Sequence, residues 1–123
     1  MLVIDDEPIV RNLAKHSLER YGYGVLLAED GARGVEIFRR DANRIECVVL
    51  DLTMPVMSGE ETLAHLQEVR SDIPVVLSSG YSEVHAVRRF EGKGLAGFLQ
   101  KPYKPAALVE KVGAVIAAAS ASR

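Results

Sequence analysis

Short apolar runs alternate with longer amphipathic stretches along the chain. The runs are short for helices, and several are rich in β-branched residues, which is typical of strands buried on both faces of a sheet. Between the runs, apolar residues recur at spacings of three and four, as on the inner face of a helix. The predicted strands cover residues 2–4, 25–28, 47–51, 74–80 and 98–100.

A helix is predicted after each strand, which gives five helices. They begin near Pro8, Gly31, Ser58, Ser82 and Pro105. Their predicted inner faces carry Ile9, Val10, Leu13, Ala14, Leu18 and Tyr21, then Val35 and Phe38, then Leu63, Leu66 and Val69, then Val84 and Val87, and finally Leu108, Val112, Val115 and Ile116. Gly34 lies beside an inner face and is expected to let its helix approach the sheet closely.

This alternation predicts an α/β fold with a doubly wound, five-stranded parallel sheet. Right-handed crossovers favour the flavodoxin-like strand order 2-1-3-4-5, with a switch between strands 1 and 3. At 123 residues the chain is expected to form one domain, residues 1–123. The first strand begins at residue 2, so we expect a segment of a longer protein.

Composition and charge narrow the classes of function. Hydrophobic residues make up 48% and charged residues 26%, which is ordinary for a globular domain. A net charge of -2 predicts no direct contact with nucleic acid or an anionic membrane. No run approaches the roughly 20 apolar residues of a membrane span. The one cysteine, Cys47, lies in an apolar run, and we expect a buried thiol in a cytoplasmic protein.

Polar side chains follow four of the predicted strands at their carboxyl ends. They are Asp5 and Asp6 after the first, Asp51 in the third, Ser79 in the fourth and Lys101 after the fifth. Ligands bind at this edge of open α/β sheets. Crowded carboxylates favour a hard cation, and an incomplete set of oxygen ligands that leaves room for water and phosphate suits Mg²⁺. A carboxylate nucleophile, Mg²⁺, a lysine and a hydroxyl together indicate phosphoryl transfer.

Each of these residues also has a structural explanation when taken alone. An Asp-Asp pair is favourable charge at a helix N-terminus, a Lys-Pro pair is usually a solvated turn, and a serine at a strand end often bonds the backbone. Their joint placement on four strand ends favours the functional interpretation. His16, His65 and His85 have no comparable company and are interpreted as structural or surface residues.

Four sequence motifs carry a family resemblance. They are Val3-Ile4-Asp5-Asp6-Glu7, Leu50-Asp51-Leu52-Thr53-Met54-Pro55 with Gly59, Ser78-Ser79-Gly80, and Lys101-Pro102. In order and spacing they resemble the receiver domain of two-component response regulators. Ser79-Gly80-Tyr81-Ser82 and Phe98 to Tyr103 further resemble receivers at the carboxyl end of hybrid sensor histidine kinases.

The resemblance implies a phosphorelay function. Asp51 would accept a phosphoryl group from the phosphohistidine of a sensor histidine kinase or a phosphotransfer domain, and a fused kinase core is one possible source. Mg²⁺ would be bound by Asp6, Asp51 and the Thr53 carbonyl, with Asp5 acting mainly through water. The domain would catalyse its own phosphorylation and dephosphorylation rather than act as a conventional enzyme.

The resemblance also implies switching residues. Lys101 matches the lysine that pairs with the phosphoryl group, and its bond to Pro102 would be cis. Ser79 matches the switch hydroxyl and Phe98 the switch aromatic, which is expected to sit inward even before phosphorylation. Thr53 and Tyr81 occupy the places that tune dephosphorylation, and neither supplies a good base for water, so a long-lived phosphorylated form is expected.

Three other interpretations fit parts of the sequence. A Mg²⁺-dependent phosphatase of the haloacid-dehalogenase type also uses an aspartate nucleophile, but it needs an acid where Thr53 stands. A flavodoxin-like binder would need a hydroxyl-rich phosphate loop where this chain has Asp5-Asp6-Glu7. A protein-interaction module that works without phosphorylation would not need the complete acidic set.

Overall fold

The computed structural model describes residues 1–52, 57–80, 88, 90 and 92–121. Its five strands are β1 (Leu2–Ile4), β2 (Leu26–Ala28), β3 (Val48–Asp51), β4 (Val75–Ser79) and β5 (Gly97–Gln100). They form one sheet in the order β2-β1-β3-β4-β5, and every pair of neighbours is parallel. The predicted fold class and strand order are confirmed.

Four α-helices lie within the described residues. They are α1 (Pro8–Glu19), α2 (Gly31–Asp41), α3 (Gly59–Val69) and α4 (Pro105–Ala121), and a short 3₁₀ helix, Ala42–Arg44, follows α2. The expected count of five helices is therefore corrected to four for the described part of the chain. Only Arg88, Phe90 and Gly92 of the predicted helix after Ser82 are described, so that helix stays a prediction. Among the helices of the described residues, none has both the length and the hydropathy of a transmembrane segment.

The sheet separates two hydrophobic clusters because side chains alternate along each strand. One cluster joins Ile4, Leu50 and Leu77 to α2 and α3. The other joins Val3, Val49, Val76 and Leu99 to α1 and α4. Asp5 follows β1 directly and Asp51 ends β3, so both carboxylates emerge from a sheet that is packed on both faces.

The inner face of α1 is narrower than predicted. Ala14 and Leu18 are buried, whereas Ile9 is 83% exposed and Tyr21 is 69% exposed. At 100° per residue, Ile9 lies about 140° around the helix from Ala14, and it therefore faces away from the sheet. Tyr21 lies beyond the end of the helix. The prediction that these two residues belong to the core is wrong.

Residues three apart on α3 drift around the helix by about 60° per step, and a third predicted core residue, Val69, is corrected for this reason. Leu63 and Leu66 are buried, but Val69, the last residue of the helix, is 36% exposed. The predicted close approach of Gly34 is confirmed, since a Cβ atom there would collide with Cδ1 of Ile4. The predicted helix start near Ser58 is confirmed, and Ser58 caps α3, with its Oγ accepting a hydrogen bond from the Glu61 N–H at 3.2 Å.

Candidate functional site

Two aspartates meet at the carboxyl edge of the sheet because β1 and β3 are neighbours. Ile4 pairs with Leu50, so Asp5 and Asp51 emerge side by side as the next residues. Asp5 is 1% exposed and Asp51 is 4% exposed. One oxygen of Asp5, Oδ1, accepts a hydrogen bond from the Glu7 N–H at 2.9 Å. The carboxylates are therefore held in place by the sheet and by the turn into α1.

Asp6 completes an acidic cluster. One carboxylate oxygen from each of Asp5, Asp6 and Asp51 can be chosen so that all three lie within 4.8 Å of one another. Asp5 and Asp51 are buried, whereas Asp6 is exposed. This set of hard oxygen donors fits a small divalent cation with several water ligands, as the sequence predicted.

Lys101 supplies positive charge at the same place. Its Nζ lies 2.8 Å from Asp5 Oδ2, 3.4 Å from Asp51 Oδ2 and 3.8 Å from Glu7 Oε2. Burial lowers the pKa of Lys101, but the hydrogen bond to Asp5 and the negative charges of Asp51, Asp5 and Glu7 outweigh it. The pKa is therefore raised above the ordinary 10.5, and the ammonium stays charged.

The backbone positions this lysine. The Lys101 N–H donates to the Ser79 carbonyl at 2.7 Å, which extends the pairing of β4 and β5 by one residue. Leu99 belongs to the cluster beneath α1 and α4, and Lys101 follows it by two residues on the same face. The predicted cis bond between Lys101 and Pro102 is confirmed.

A cavity of about 690 Å³ opens over the acidic cluster. It is lined by Asp6, Glu7, Val10, Leu13, Asp51, Gly80, Lys101, Pro102 and Tyr103. One end is therefore acidic, with a single ammonium, while the wall formed by α1 and the chain after β5 is largely apolar. A small charged group fits the acidic end, and a carrier attached to it fits against the apolar wall.

Comparison with known proteins identifies this arrangement. The family model described as "Response regulator receiver domain" matches residues 1–113. The chain belongs to the receiver domain family. This confirms the resemblance given by the four sequence motifs.

Relatives of this receiver domain occur within longer proteins. The transcriptional regulatory protein GlrR of Escherichia coli (strain K12) is 30% identical over 112 residues, which are 91% of this chain and 25% of GlrR. The sensor kinase CckA of Brucella abortus (strain 2308) is 33% identical over 103 residues, which are 84% of this chain and 11% of CckA. The chain thus spans a quarter or less of these two relatives.

A solved structure also shares the fold of this receiver domain. It is a chain of the CheX-CheY-BeF3-Mg²⁺ complex from Borrelia burgdorferi. The similarity has a TM-score of 0.87 at 26% identity, and it covers 93% of this chain and 86% of that chain.

Two predicted switch residues of the receiver lie on the other face of the sheet from Asp51. Ser79 is buried at the end of β4 and follows Leu77 on the face of α2 and α3. Phe98 pairs with Leu77, is half-buried and packs against the same cluster. Thr53 and Tyr81 lie outside the described residues.

Sequence reasoning missed three contributors to the site. Glu7 contacts Lys101, and Tyr103 lines the cavity. Ser78, rather than Ser79, pairs with Asp51 and shares its face, and its buried Oγ has no hydrogen-bond partner among the described residues. Two sequence signals could have found two of them. Side chains alternate along β4, which places Ser78 rather than Ser79 on the face of Asp51, and Tyr103 follows Lys101 by two residues, which brings it near the same site.

Proposed function

We propose that this receiver domain accepts a phosphoryl group on Asp51 from a phosphohistidine of a sensor histidine kinase or a phosphotransfer domain. The supporting observation is the position of the Asp51 carboxylate. It lines the cavity together with Asp6, it belongs to the acidic cluster, and one of its oxygens lies 3.4 Å from the Lys101 ammonium. A nucleophile, a site for a cation and a fixed positive charge are the parts that phosphoryl transfer requires.

Mg²⁺ is the cofactor we propose for the acidic cluster. Three carboxylates against one lysine leave the cluster with excess negative charge, so the donor set fits a divalent cation. Asp6 and Asp51 would bind it, together with the carbonyl of Thr53, and Asp5 would act mainly through water. Bound there, Mg²⁺ would offset the charge that develops on the phosphoryl oxygens.

In the proposed reaction an Asp51 carboxylate oxygen attacks phosphorus in line with the leaving nitrogen. Lys101 already contacts Asp51, so its ammonium is placed to pair with a phosphoryl oxygen once the group is attached. Asp5 holds that ammonium at 2.8 Å, which fixes the position of the positive charge. These residues are prearranged, and that lowers the cost of organising charge during transfer.

Phosphorylation would then be read by a partner protein. The added charge and acceptor oxygens would draw Ser79 towards the phosphoryl group, and Phe98 would move into the vacated space. We propose a surface formed by the segment after β4, by β5 and by α4 as the face that the partner protein reads.

Thr53 and Tyr81 would set the lifetime of the phosphorylated form. Residues 1–123 would act as one domain of a longer cytoplasmic protein.

The test is labelling by a small phosphodonor such as acetyl phosphate, with and without Mg²⁺. Wild-type protein should gain one phosphoryl group by intact mass, and chelation of Mg²⁺ should prevent the gain. Asp51→Asn keeps the shape but removes the nucleophile, so labelling should be lost. Asp6→Ala should weaken Mg²⁺ binding and labelling together.

The control for Asp51→Asn is Glu46→Gln. Glu46 is exposed and precedes the amino end of β3, so the substitution removes a carboxylate at the edge of the sheet opposite to Asp51. It should label like wild type. Persistent labelling of Asp51→Asn, or labelling that ignores Mg²⁺, would contradict the proposed function.

A further inference from the structure

Arg11 lies where a positive charge is electrostatically unfavourable. It belongs to the first turn of α1, and the helix macrodipole disfavours a cation at that end. The first turn holds no acidic residue that would offset the charge. Arg11 is nevertheless half-buried, and its Nη1 donates a hydrogen bond to the Asp5 carbonyl at 2.7 Å. The side chain therefore turns back from the helix to the strand end that carries the acidic cluster.

The acceptor of this hydrogen bond is a main-chain carbonyl rather than a carboxylate. Among the described residues, Arg11 makes no ion pair with the acidic cluster. A guanidinium paired with one of those carboxylates would compete with a metal ion for its oxygens. Bonded to the carbonyl instead, Arg11 leaves the carboxylate oxygens to the metal ion.

Both peptide groups that flank Asp6 are held by hydrogen bonds. Arg11 holds the one before it, through the Asp5 carbonyl. The one after it is held by the Glu7 N–H, which donates to Asp5 Oδ1 at 2.9 Å. Because peptide groups are planar, the two bonds together fix the Asp6 Cα and the direction in which its side chain leaves the chain.

Asp6 has little else to hold it. The ammonium of Lys101 contacts Asp5, Asp51 and Glu7, but not Asp6. Asp6 is exposed, and its carboxylate has no hydrogen-bond partner among the described residues. Its place in the acidic cluster therefore depends on the backbone of the turn between β1 and α1. A turn that was not held would have to be ordered when a cation binds, at a cost in entropy.

We propose that Arg11 is a positioning residue for Asp6 as a ligand of Mg²⁺. The inference rests on the proposed function, and specifically on Mg²⁺ as the cation of the acidic cluster. Arg11 contacts neither the cation nor the phosphoryl group. It holds the peptide from which Asp6 projects, so the carboxylate is in place before the cation binds.

Charge and position predict opposite effects of removing Arg11. A positive charge near the acidic cluster repels Mg²⁺, so loss of the charge alone would strengthen Mg²⁺ binding. Loss of positioning would weaken Mg²⁺ binding, because the turn must then be ordered as the cation binds. The direction of the change therefore distinguishes the two roles.

The experiment is a Mg²⁺ titration of Arg11→Met without a phosphodonor, followed by the backbone amide NMR signals of Asp6 and Glu7. The half-saturating Mg²⁺ concentration should rise about fivefold, which corresponds to the loss of one hydrogen bond. The Asp6 amide signal should also move in the metal-free protein, since its N–H belongs to the peptide that Arg11 holds.

Labelling by acetyl phosphate at increasing Mg²⁺ gives a second measurement. The half-saturating Mg²⁺ concentration should rise by the same factor in Arg11→Met. The rate at saturating Mg²⁺ should equal that of wild type, because the cation then holds Asp6 in place. A merely structural role would not produce this separation of the two parameters.

Arg33→Met is the matched control. Arg33 lies in the first turn of α2, so the substitution removes the same side chain from the same place in the next strand–helix unit. Its Nη1 pairs with Glu36 Oε1 at 2.9 Å, and the side chain is 42% exposed. Mg²⁺ binding should equal that of wild type. Arg11→Gln, which is also neutral and has a shorter side chain, replaces Arg11→Met if that variant does not fold, with the same expected result.

Each outcome decides the inference. Wild-type or tighter Mg²⁺ binding in the Arg11 variants would overturn it, as would an equal loss in Arg33→Met. A lower rate at saturating Mg²⁺ would show that Arg11 acts on the transfer itself, and it would also overturn the inference. If wild type binds Mg²⁺ but Asp51 is not labelled, the proposed function fails, and the titration still decides the role of Arg11. If wild type binds no Mg²⁺, the inference fails whether or not Asp51 is labelled.

Discussion

Lys101 is the residue on which the charge balance of the site depends. Its ammonium lies within 4 Å of Asp5, Asp51 and Glu7, and its side chain is 14% exposed. Asp5 and Asp51 are almost completely buried. Two carboxylates so placed repel each other, and a shared cation is what makes their burial tolerable.

Removing this charge should destabilise the metal-free protein. We expect Lys101→Met to lower the free energy of unfolding by about 2 kcal/mol near neutral pH, because it removes the ammonium that lies against two buried carboxylates. Added Mg²⁺ should recover part of the loss by occupying the same acidic cluster. Urea denaturation with a chelator and with Mg²⁺ measures both effects.

Lys93→Met provides the comparison for this prediction. Lys93 is 45% exposed and its Nζ lies 3.4 Å from Glu60 Oε2, so the substitution removes an ordinary surface ion pair. Its cost should stay below about 1 kcal/mol and should not respond to Mg²⁺. Equal costs at the two positions would show that the Lys101 pairs contribute no more than surface pairs do.

The buried thiol of Cys47 makes the free energy of unfolding depend on pH in the alkaline range. Burial raises the pKa of its thiol to about 12 from the ordinary 9.0. Between these values the unfolded chain loses the proton and the folded chain keeps it, so the folded state binds more protons. Stability contributed by this group therefore falls as pH rises, by up to about 1.4 kcal/mol per pH unit.

The measurement is urea denaturation of wild type and Cys47→Ala between about pH 8 and pH 11. Other groups titrate in the same range, but they are common to both proteins. The wild-type stability should fall more steeply above about pH 9 than that of Cys47→Ala. Parallel curves would mean that the folded thiol ionises as readily as the unfolded one.

At the scale of elements, the start of α3 is pressed against the end of β3. The Gly59 N–H donates to the Leu52 carbonyl at 3.1 Å. A Cβ atom on Gly59 would lie 2.8 Å from the Leu52 oxygen and 3.0 Å from the Asp51 oxygen. These are backbone atoms, which cannot rotate out of the way. The helix therefore packs directly behind the residue that carries the proposed chemistry.

We expect Gly59→Ala to cost about 1–3 kcal/mol of stability and to displace the end of β3. Because Asp51 lies there, Mg²⁺ affinity should fall with stability. Thermal unfolding and Mg²⁺ titration measure the two effects. Gly24→Ala is the control, since a Cβ atom at Gly24 meets nothing within 4 Å, and it should change neither. A Gly59→Ala protein with normal Mg²⁺ affinity would separate the helix position from the site.

Sequence patterns predicted the elements and the main site residues for identifiable reasons. Apolar runs, and the glycines and prolines that interrupt them, determine strands and helices locally. Parallel strands then bring Asp5, Asp51 and Lys101 to one edge of the sheet, whatever the details of packing. The exposure of Ile9 follows from its position about 140° around α1 from the buried Ala14, so the spacing of residues in the helix was enough to predict it. The Tyr103 hydroxyl has no hydrogen-bond partner among the described residues, and this depends on orientation in three dimensions, which residue spacing does not encode.

At the scale of the whole molecule, the sheet separates the acidic site from the proposed switch aromatic. Asp51 lies on the face of α1 and α4, whereas Phe98 packs with Leu77 on the face of α2 and α3. Within the described residues, the strand ends are therefore a route by which a change at Asp51 can reach Phe98. Ser79 occupies one of these ends and its carbonyl is bonded to Lys101.

Coupling across the sheet can be tested with beryllofluoride and Mg²⁺, which mimic a phosphoryl group on Asp51. Backbone amide signals of Phe98 and its neighbours in β5 should shift in the NMR spectrum. Those of Leu26–Ala28 in β2, at the far edge, should stay nearly constant. Asp51→Asn should abolish all of these shifts. Shifts confined to the residues around Asp51 would show that the two faces are not coupled.

The backbone bond between Lys101 and Ser79 gives this protein a built-in site for deuterium labelling. The Lys101 amide nitrogen lies 2.7 Å from the Ser79 carbonyl oxygen. The amide hydrogen between them can exchange with solvent only when the end of β5 separates from β4. Its exchange rate at a fixed pH reports the opening of that contact. Deuterium uptake at this one amide therefore measures how firmly the strand end is attached at the residue whose ammonium faces Asp51.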